Sequence, residues 1–362
     1  MSDRSTHPLN LRVGDLVEVR SEKEILATLD EQGAVDGMPL MPEMLEFCGK
    51  RFRVGKRADK TCNTITVMES RRIYDTVHLE NVRCTGAAHG GCQAQCMIYW
   101  KEAWLRRVES GGTNPRSSPR EPDPPAPLRC DRVRLIQLTL RPDPPNASEI
   151  FYRCQATDIL KASEPLRATD MSQYVRDVTS GNIGVMALVR ALFFRMFQKT
   201  LRITAYRAQL WLYNHFQGLL GATPYPYRRG TLDKTPKETL DLQPGELVQV
   251  KSYDEIMKTL NKNNRNRGLF FDAEMVPYCG SVRRVRARVD HIIDEHSGKM
   301  HLLPGECLIL EGAICAAKFS ERRLFCPRAI YPFWREIWLK RVEPNQAPKA
   351  APAESAEYEI RK

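Results

Sequence analysis

The chain has 362 residues, with 55 Lys and Arg against 44 Asp and Glu, a formal charge of +11. Its 42% hydrophobic and 27% charged residues are ordinary for a globular chain and exclude a wholly disordered one. No run approaches the roughly 18 uninterrupted apolar residues of a membrane span, and residues 1–8 lack the apolar core of a secretion signal. No transmembrane segment and a cytosolic location are therefore expected, and in that compartment eleven cysteines point to metal or redox chemistry rather than disulfides.

Taken along the chain, residues 1–10 read as a tail and 11–109 as a first domain with no net charge. Residues 14–19 alternate apolar and polar side chains, the period of a half-buried strand. Ser21 with Glu24 then forms a capping-box start to a short helix. Further strands are expected at 51–54, 64–67 and 105–108. Six prolines within 110–127 mark 110–128 as a linker. The following 129–223 reads as two strands, 133–140 and 149–156, and then as helical segments over 171–220 broken near Gly181 and Gly184. Within them Val185, Leu188, Val189, Leu192 and Met196 fall at helical spacing as a packing face. Arg195, Lys199 and Arg202 share another face and are candidates for an anionic partner. Between Asp177 and Asp233 there are seven bases and no acid. Residues 224–241 form a second linker, and 344–362 a disordered tail.

Residues 242–343 repeat the first domain. Residues 11–21 align with 242–252 at an offset of 231, as do Glu43-Met44 with Glu274-Met275, Cys48 with Cys279, Leu79-Glu80 with Leu310-Glu311 and Cys84 with Cys315. Trp104–Glu109 then aligns with Trp338–Glu343 at 234. The opening Gly-Asp-Leu-Val-Glu-Val, the short strands and the closing strand of the repeat resemble an SH3-like β-barrel of the KOW kind. That resemblance implies a binding scaffold for nucleic acid or a partner protein. The expected architecture is α+β: two tandem SH3-like barrels joined by a mixed, helix-rich insert.

The cysteines carry the chemistry. Cys48, Cys84 and Cys92 have counterparts in Cys279, Cys315 and Cys326. The first repeat adds His89 and Cys96, giving Cys84-x4-His89-x2-Cys92-x3-Cys96 in a glycine-rich loop; the second adds Cys307. Thiolates with imidazole suit zinc or an iron–sulfur cluster rather than magnesium or calcium. Paired Cys-x2-Cys knuckles are absent and Cys326 is followed by proline, so an iron–sulfur cluster is the first expectation and zinc the alternative. Cys48, Cys84, Cys92 and Cys96 are expected to ligate in the first repeat, with His89 as a substitute or supporting donor, and Cys279, Cys307, Cys315 and Cys326 in the second. Cys62, Cys130 and Cys154 have no counterparts; Cys130 and Cys154, flanking the expected hairpin, are expected to be structural, with ligation of an interdomain site as the alternative. Tyr99, Trp100 and Trp104, with Tyr331, Phe333, Trp334 and Trp338, read as core.

Nucleotide-binding glycine loops, Gly-x-Ser-x-Gly and His-Glu-x-x-His are all absent, so the sequence leaves open whether the protein is an enzyme. The function expected is a metal-binding protein serving electron transfer or acting as an accessory scaffold to protein partners. A zinc-stapled nucleic-acid-binding regulator is the alternative, and a cluster-dependent redox enzyme the third reading.

Overall fold

The computed structural model describes residues 8–65, 69–108, 129–141, 149–201, 211–212, 215–216, 228–319 and 322–342, with the backbone alone at 194–201 and 304. The expected linker 110–128 and tail 344–362 lie outside these residues. The chain divides into two compact units: 1–182 with 293–301 and 326–328, and the remainder. The fold is mixed α+β, with more strand than helix.

In the first unit, strands β1 (Leu16–Val19), β2 (Arg51–Arg57), β3 (Thr76–Leu79), β4 (Trp100–Lys101) and β5 (Leu105–Arg107) form one antiparallel sheet in the order β4-β3-β2-β1-β5. In the second, β6 (Leu247–Val250), β7 (Val282–Ile293), β8 (Met300–Leu310), β9 (Trp334–Arg335) and β10 (Leu339–Arg341) take the same order, β9-β8-β7-β6-β10. The register is shared: Val17 faces Phe52 and Arg107, and Val248 faces Arg283 and Arg341.

The repeated residues explain why. Ser21 and Ser252 cap α1 (Glu22–Leu26) and α5 (Tyr253–Met257), each in a complete capping box with Glu24 or Glu255. Such caps contribute about 1 kcal/mol. Trp104 and Trp338 are fully buried, and each indole N–H reaches a threonine hydroxyl, Thr28 at 3.1 Å and Thr259 at 3.0 Å. Glu102 and Glu336, one turn before the last strand, are buried carboxylates that accept the Leu11 and Leu242 N–H, each at 2.9 Å. Arg57 and Arg288 neutralise them at 2.6 and 3.1 Å. Breaking such a pair from one side costs about 3–5 kcal/mol, because the other charge stays buried.

The insert departs from the sequence expectation. Residues 133–140 do not form a strand: α2 spans Arg132–Gln137, because Asp131 accepts the Arg134 N–H at 2.7 Å and Leu135 and Leu138 bury on one helical face. The apparent period of two there came from arginines alternating with apolar residues. Residues 149–156 make only isolated bridges, Leu140 with Tyr152 and Phe151 with Lys299. Thr64 and Ile65 lie past the strand Lys60–Asn63, which pairs with Glu69–Arg72, while Thr66 and Val67 lie outside the described residues. Helix α3 (Ser172–Thr179) is held to Lys60 by Asp177, an almost fully buried pair at 2.5 Å. Helix α4 spans Val185–Leu201. Its expected packing face is only part-covered: Leu188 and Leu192 are half-buried, but Val185 and Val189 are exposed.

Candidate metal centre

Glu43 stands in the 3-10 helix Pro42–Phe47, whose first position is proline, with φ already set for a helical start. Met41 and Met44 bury on either side, and the Met41 N–H reaches the Met44 sulfur at 3.3 Å. The glutamate side chain is thereby carried inward and is 5% exposed.

The loop 84–96 supplies the other donors. Its base is closed by the Cys84 N–H donating to the Cys96 carbonyl at 2.8 Å and by the Arg83–Met97 bridge. Within it, the His89 and Gly91 N–H groups both donate to the Gly86 carbonyl, at 3.0 and 2.9 Å. Gly86 has φ +75°, and a Cβ there would sit 2.2 Å from the Cys92 carbonyl oxygen. No other residue fits, and the turn it permits points His89 into the protein at 2% exposure. Gly90 plays a similar part, with the Tyr152 ring where its Cβ would be.

The His89 Nε2 lies 3.4 Å from the Cys84 sulfur, and Glu43 Oε1 lies 3.7 Å from that sulfur and 3.3 Å from His89 Nδ1. These three residues offer one donor atom each within 4.8 Å of one another, the only such group among the described residues. Metal–ligand bonds of about 2.3 Å to sulfur and about 2.0 Å to nitrogen put tetrahedral ligands about 3.5 Å apart, close to the 3.4 Å between Cys84 and His89 Nε2 and the 3.7 Å between Cys84 and Glu43. Glu43 Oε2 and His89 Nδ1 are buried without a hydrogen-bond partner. Leaving such atoms unmatched costs about 1–3 kcal/mol each, and a cation removes that cost.

Glu43, Cys84, His89, Cys92, Cys96 and Cys154 line one cavity of about 40 Å³. That is too small for an organic cofactor. Burial pushes the Glu43 carboxyl and the Cys84 thiol up, the latter with help from Cys96 and Glu43, and pushes Cys96 up to about 11 and Cys154 up to about 12. It also holds His89 down to about 4. Without a cation the Cys84 thiol and the His89 imidazole are therefore neutral at pH 7, and a bound divalent ion would deprotonate the thiol by its own charge.

Of the residues expected from sequence, Cys84, His89, Cys92 and Cys96 meet here. Cys48 does not line the cavity; it caps the 3-10 helix and packs on the core. In the second repeat Cys279 takes the same capping place, Cys307 lies on β8 with the Arg335 guanidinium 3.4 Å from its sulfur, and Cys315 sits near Tyr278. Cys279, Cys307 and Cys315 form no converging donor group. Cys326 belongs to the first unit, near Tyr99. Arg195 and Lys199 stand on α4, but their side chains, and all of Arg202, lie outside the described residues.

The sequence reading misses Glu43 and places Cys154 as structural first and as a ligand only second. Glu43 recurs as Glu274, a signal present in the duplication, but a glutamate in a helix start reads as solvated. Cys154 arrives from the insert because Gln155 clamps the Tyr99 backbone, accepting its N–H at 2.8 Å and donating to its carbonyl at 2.9 Å. No local pattern encodes that contact. Comparison with protein-family models, curated proteins and solved structures found no match.

Proposed function

We propose that this protein binds one divalent transition metal, zinc first, through Glu43, Cys84 and His89. The observation that carries this reading is the buried mixed donor set in which Glu43 Oε2 and His89 Nδ1 have no hydrogen-bond partner. A carboxylate, thiolate and imidazole together suit zinc better than an iron–sulfur cluster, which prefers thiolates throughout. Three protein ligands leave a fourth position, which Cys92, Cys96, Cys154 or a water in the same cavity would fill. Cys84 would give up its proton on binding, and the buried surroundings would strengthen each bond to the ion.

The sheet order, in which the last strand of each repeat returns beside the first, supports the SH3-like reading of both repeats. On that reading the metal braces a loop of a binding scaffold whose partner is a protein. A second reading rests on the four thiols around one cavity, Cys84, Cys92, Cys96 and Cys154, which would suit an iron–sulfur cluster and electron transfer.

The test is anaerobic purification of the full chain, followed by zinc, iron and sulfide analysis and by exchange with Co²⁺. One zinc per chain, and a thiolate-to-cobalt charge-transfer band lost in Cys84→Ser, would support the zinc centre. Equimolar iron and sulfide would move the assignment to the four thiols. Metal-free, colourless protein that takes up no Co²⁺ would refute both.

A further inference from the structure

The two repeats carry opposite charge at one corner. Residues 30–37 of the first hold Asp30, Glu31 and Asp36 and no base, a net −3; the aligned 261–268 of the second hold Lys262, Arg265 and Arg267 and no acid, a net +3. In the first repeat the insert covers this corner. A Cβ on Gly33 would meet Leu135 and Leu138 at 3.1 and 3.2 Å, Arg153 donates to the Gln32 carbonyl at 2.6 Å, and Pro39 is buried. In the second repeat Phe270 takes the place of Pro39 and is 44% exposed.

Local structure gathers the cations there. Arg265–Asn266 pairs with Leu269–Phe270 across a two-residue turn, in which Arg267 and Gly268 both have positive φ. That register sets Arg265 opposite Phe270, with its guanidinium 5.8 Å from the ring centroid. Asn264 brings in a third base. Its side-chain oxygen accepts the Gly230 N–H at 2.9 Å and its amide donates to the Arg228 carbonyl at 3.1 Å, which fixes Arg229 beside the loop. Arg229, Lys262, Asn263, Asn264, Arg265 and Phe270 line a surface cleft of about 530 Å³.

Three cations and no acid in the lining call for an anion. The bond from Lys262 to Asp233 at 3.0 Å joins two exposed groups and yields readily to a phosphate. Arg265 uses one nitrogen on the Gly268 carbonyl at 2.7 Å and has donors left. An acidic peptide would meet the cations but leave Phe270 in water. A free nucleotide is held by a glycine-rich phosphate loop, and the sequence has none. A duplex offers phosphates but keeps its bases stacked inside. A single nucleic-acid strand matches both features, because its phosphates track cations while an unstacked base lies on an aromatic or guanidinium plane. We infer that this cleft of the second repeat binds a single nucleic-acid strand, with phosphates on Arg229, Lys262 and Arg265 and a base on the Arg265–Phe270 pair.

Fluorescence anisotropy of labelled oligo-dT and oligo-U of about ten nucleotides, titrated with the full chain at several salt concentrations, tests this. Binding should be saturable and weaken with salt. Lys262→Gln with Arg265→Gln should weaken it about tenfold and lower the slope of log Kd on log salt by about 1.4, since each phosphate contact on a single strand contributes about 0.7. Phe270→Ala should also weaken binding about tenfold but leave that slope unchanged, because stacking releases no counterions. All three side chains are exposed, so the melting temperature should hold in both variants. Lys258→Gln, an exposed base outside the lining, should change neither affinity nor slope. Failure to bind either strand, full binding by both cleft variants, or a loss in Lys258→Gln equal to that of the double variant would each overturn the inference. Tighter binding of a duplex of the same length would overturn it in favour of backbone recognition. Displacement of the strand by polyglutamate or by ATP at equal molar concentration would overturn it in favour of an acidic peptide or a free nucleotide.

Discussion

In the first repeat Glu43 is buried beside Cys84 and His89 with one oxygen unmatched; in the second the equivalent Glu274 is equally buried but accepts the Phe319 N–H at 2.6 Å. The same carboxylate thus braces a loop through a backbone donor in one repeat and faces a thiol and an imidazole in the other. Around it the scaffolds agree down to strand order, capping boxes, tryptophan–threonine bonds and the buried Glu102 and Glu336. The contrast teaches that the duplicated fold fixes where a buried carboxylate goes, and that the loop opposite decides what it does.

The sharpest way to break this comparison is at the sulfurs. Cys84→Ser should weaken metal binding on the order of a thousandfold, since each ligand carries a share of a total near 10–16 kcal/mol. Its counterpart Cys315→Ser should leave metal content unchanged, as competition with a chromophoric chelator would measure.

Glycines give the next largest effect. Gly86→Ala forces a side chain into a positive-φ position and against the Cys92 carbonyl, and should cost about 3 kcal/mol along with the metal. Gly49→Ala, at φ +74° with open space around it, should cost about 1 kcal/mol and leave the metal in place. Urea titrations of the two variants, read with their zinc content, separate loop strain from backbone preference.

Acid should also tell the repeats apart. Burial holds His78 down to about 4 from an ordinary 6.5, while the matching position in the second repeat is the buried Ile309. The unfolded chain takes up a proton as pH falls below 6.5 and the folded first unit does not. Stability present above pH 6.5 is therefore lost as pH drops toward 4, by about 3 kcal/mol from this one group. His78→Leu should flatten that slope in melting curves between pH 7 and 4. An unchanged slope would show that other groups set the acid response.

Glu43→Gln should have a smaller effect, weakening metal binding about ten- to a hundredfold while leaving the melting temperature of the metal-free protein within a few degrees. Glu274→Gln should do the reverse, with metal content unchanged and about 1 kcal/mol of stability lost as the charge-assisted bond to Phe319 weakens.

The repeat, its capping boxes, its opening strand and the dense loop from Cys84 to Cys96 were legible in the sequence because each rests on local pattern or on internal comparison. The rest depends on contacts made at a distance. Cys48 and Cys84 recur together, yet Cys48 faces the core from a helix cap, since recurrence marks equivalent position and not shared purpose. Cys154 has no counterpart and still reaches the cavity, because the insert is held to Tyr99 by Gln155. The α2 helix was hidden by arginines in strand-like alternation, and the Asp131 cap that decides it is a single residue.

The central claim is that the first repeat alone carries the centre. Metal per chain, measured by elemental analysis on anaerobically purified full-length protein alongside Cys84→Ser and Cys315→Ser, tests it most directly. The account predicts one zinc for the parent and for Cys315→Ser, and none for Cys84→Ser. Two metals per parent chain, or full occupancy in Cys84→Ser, would contradict it.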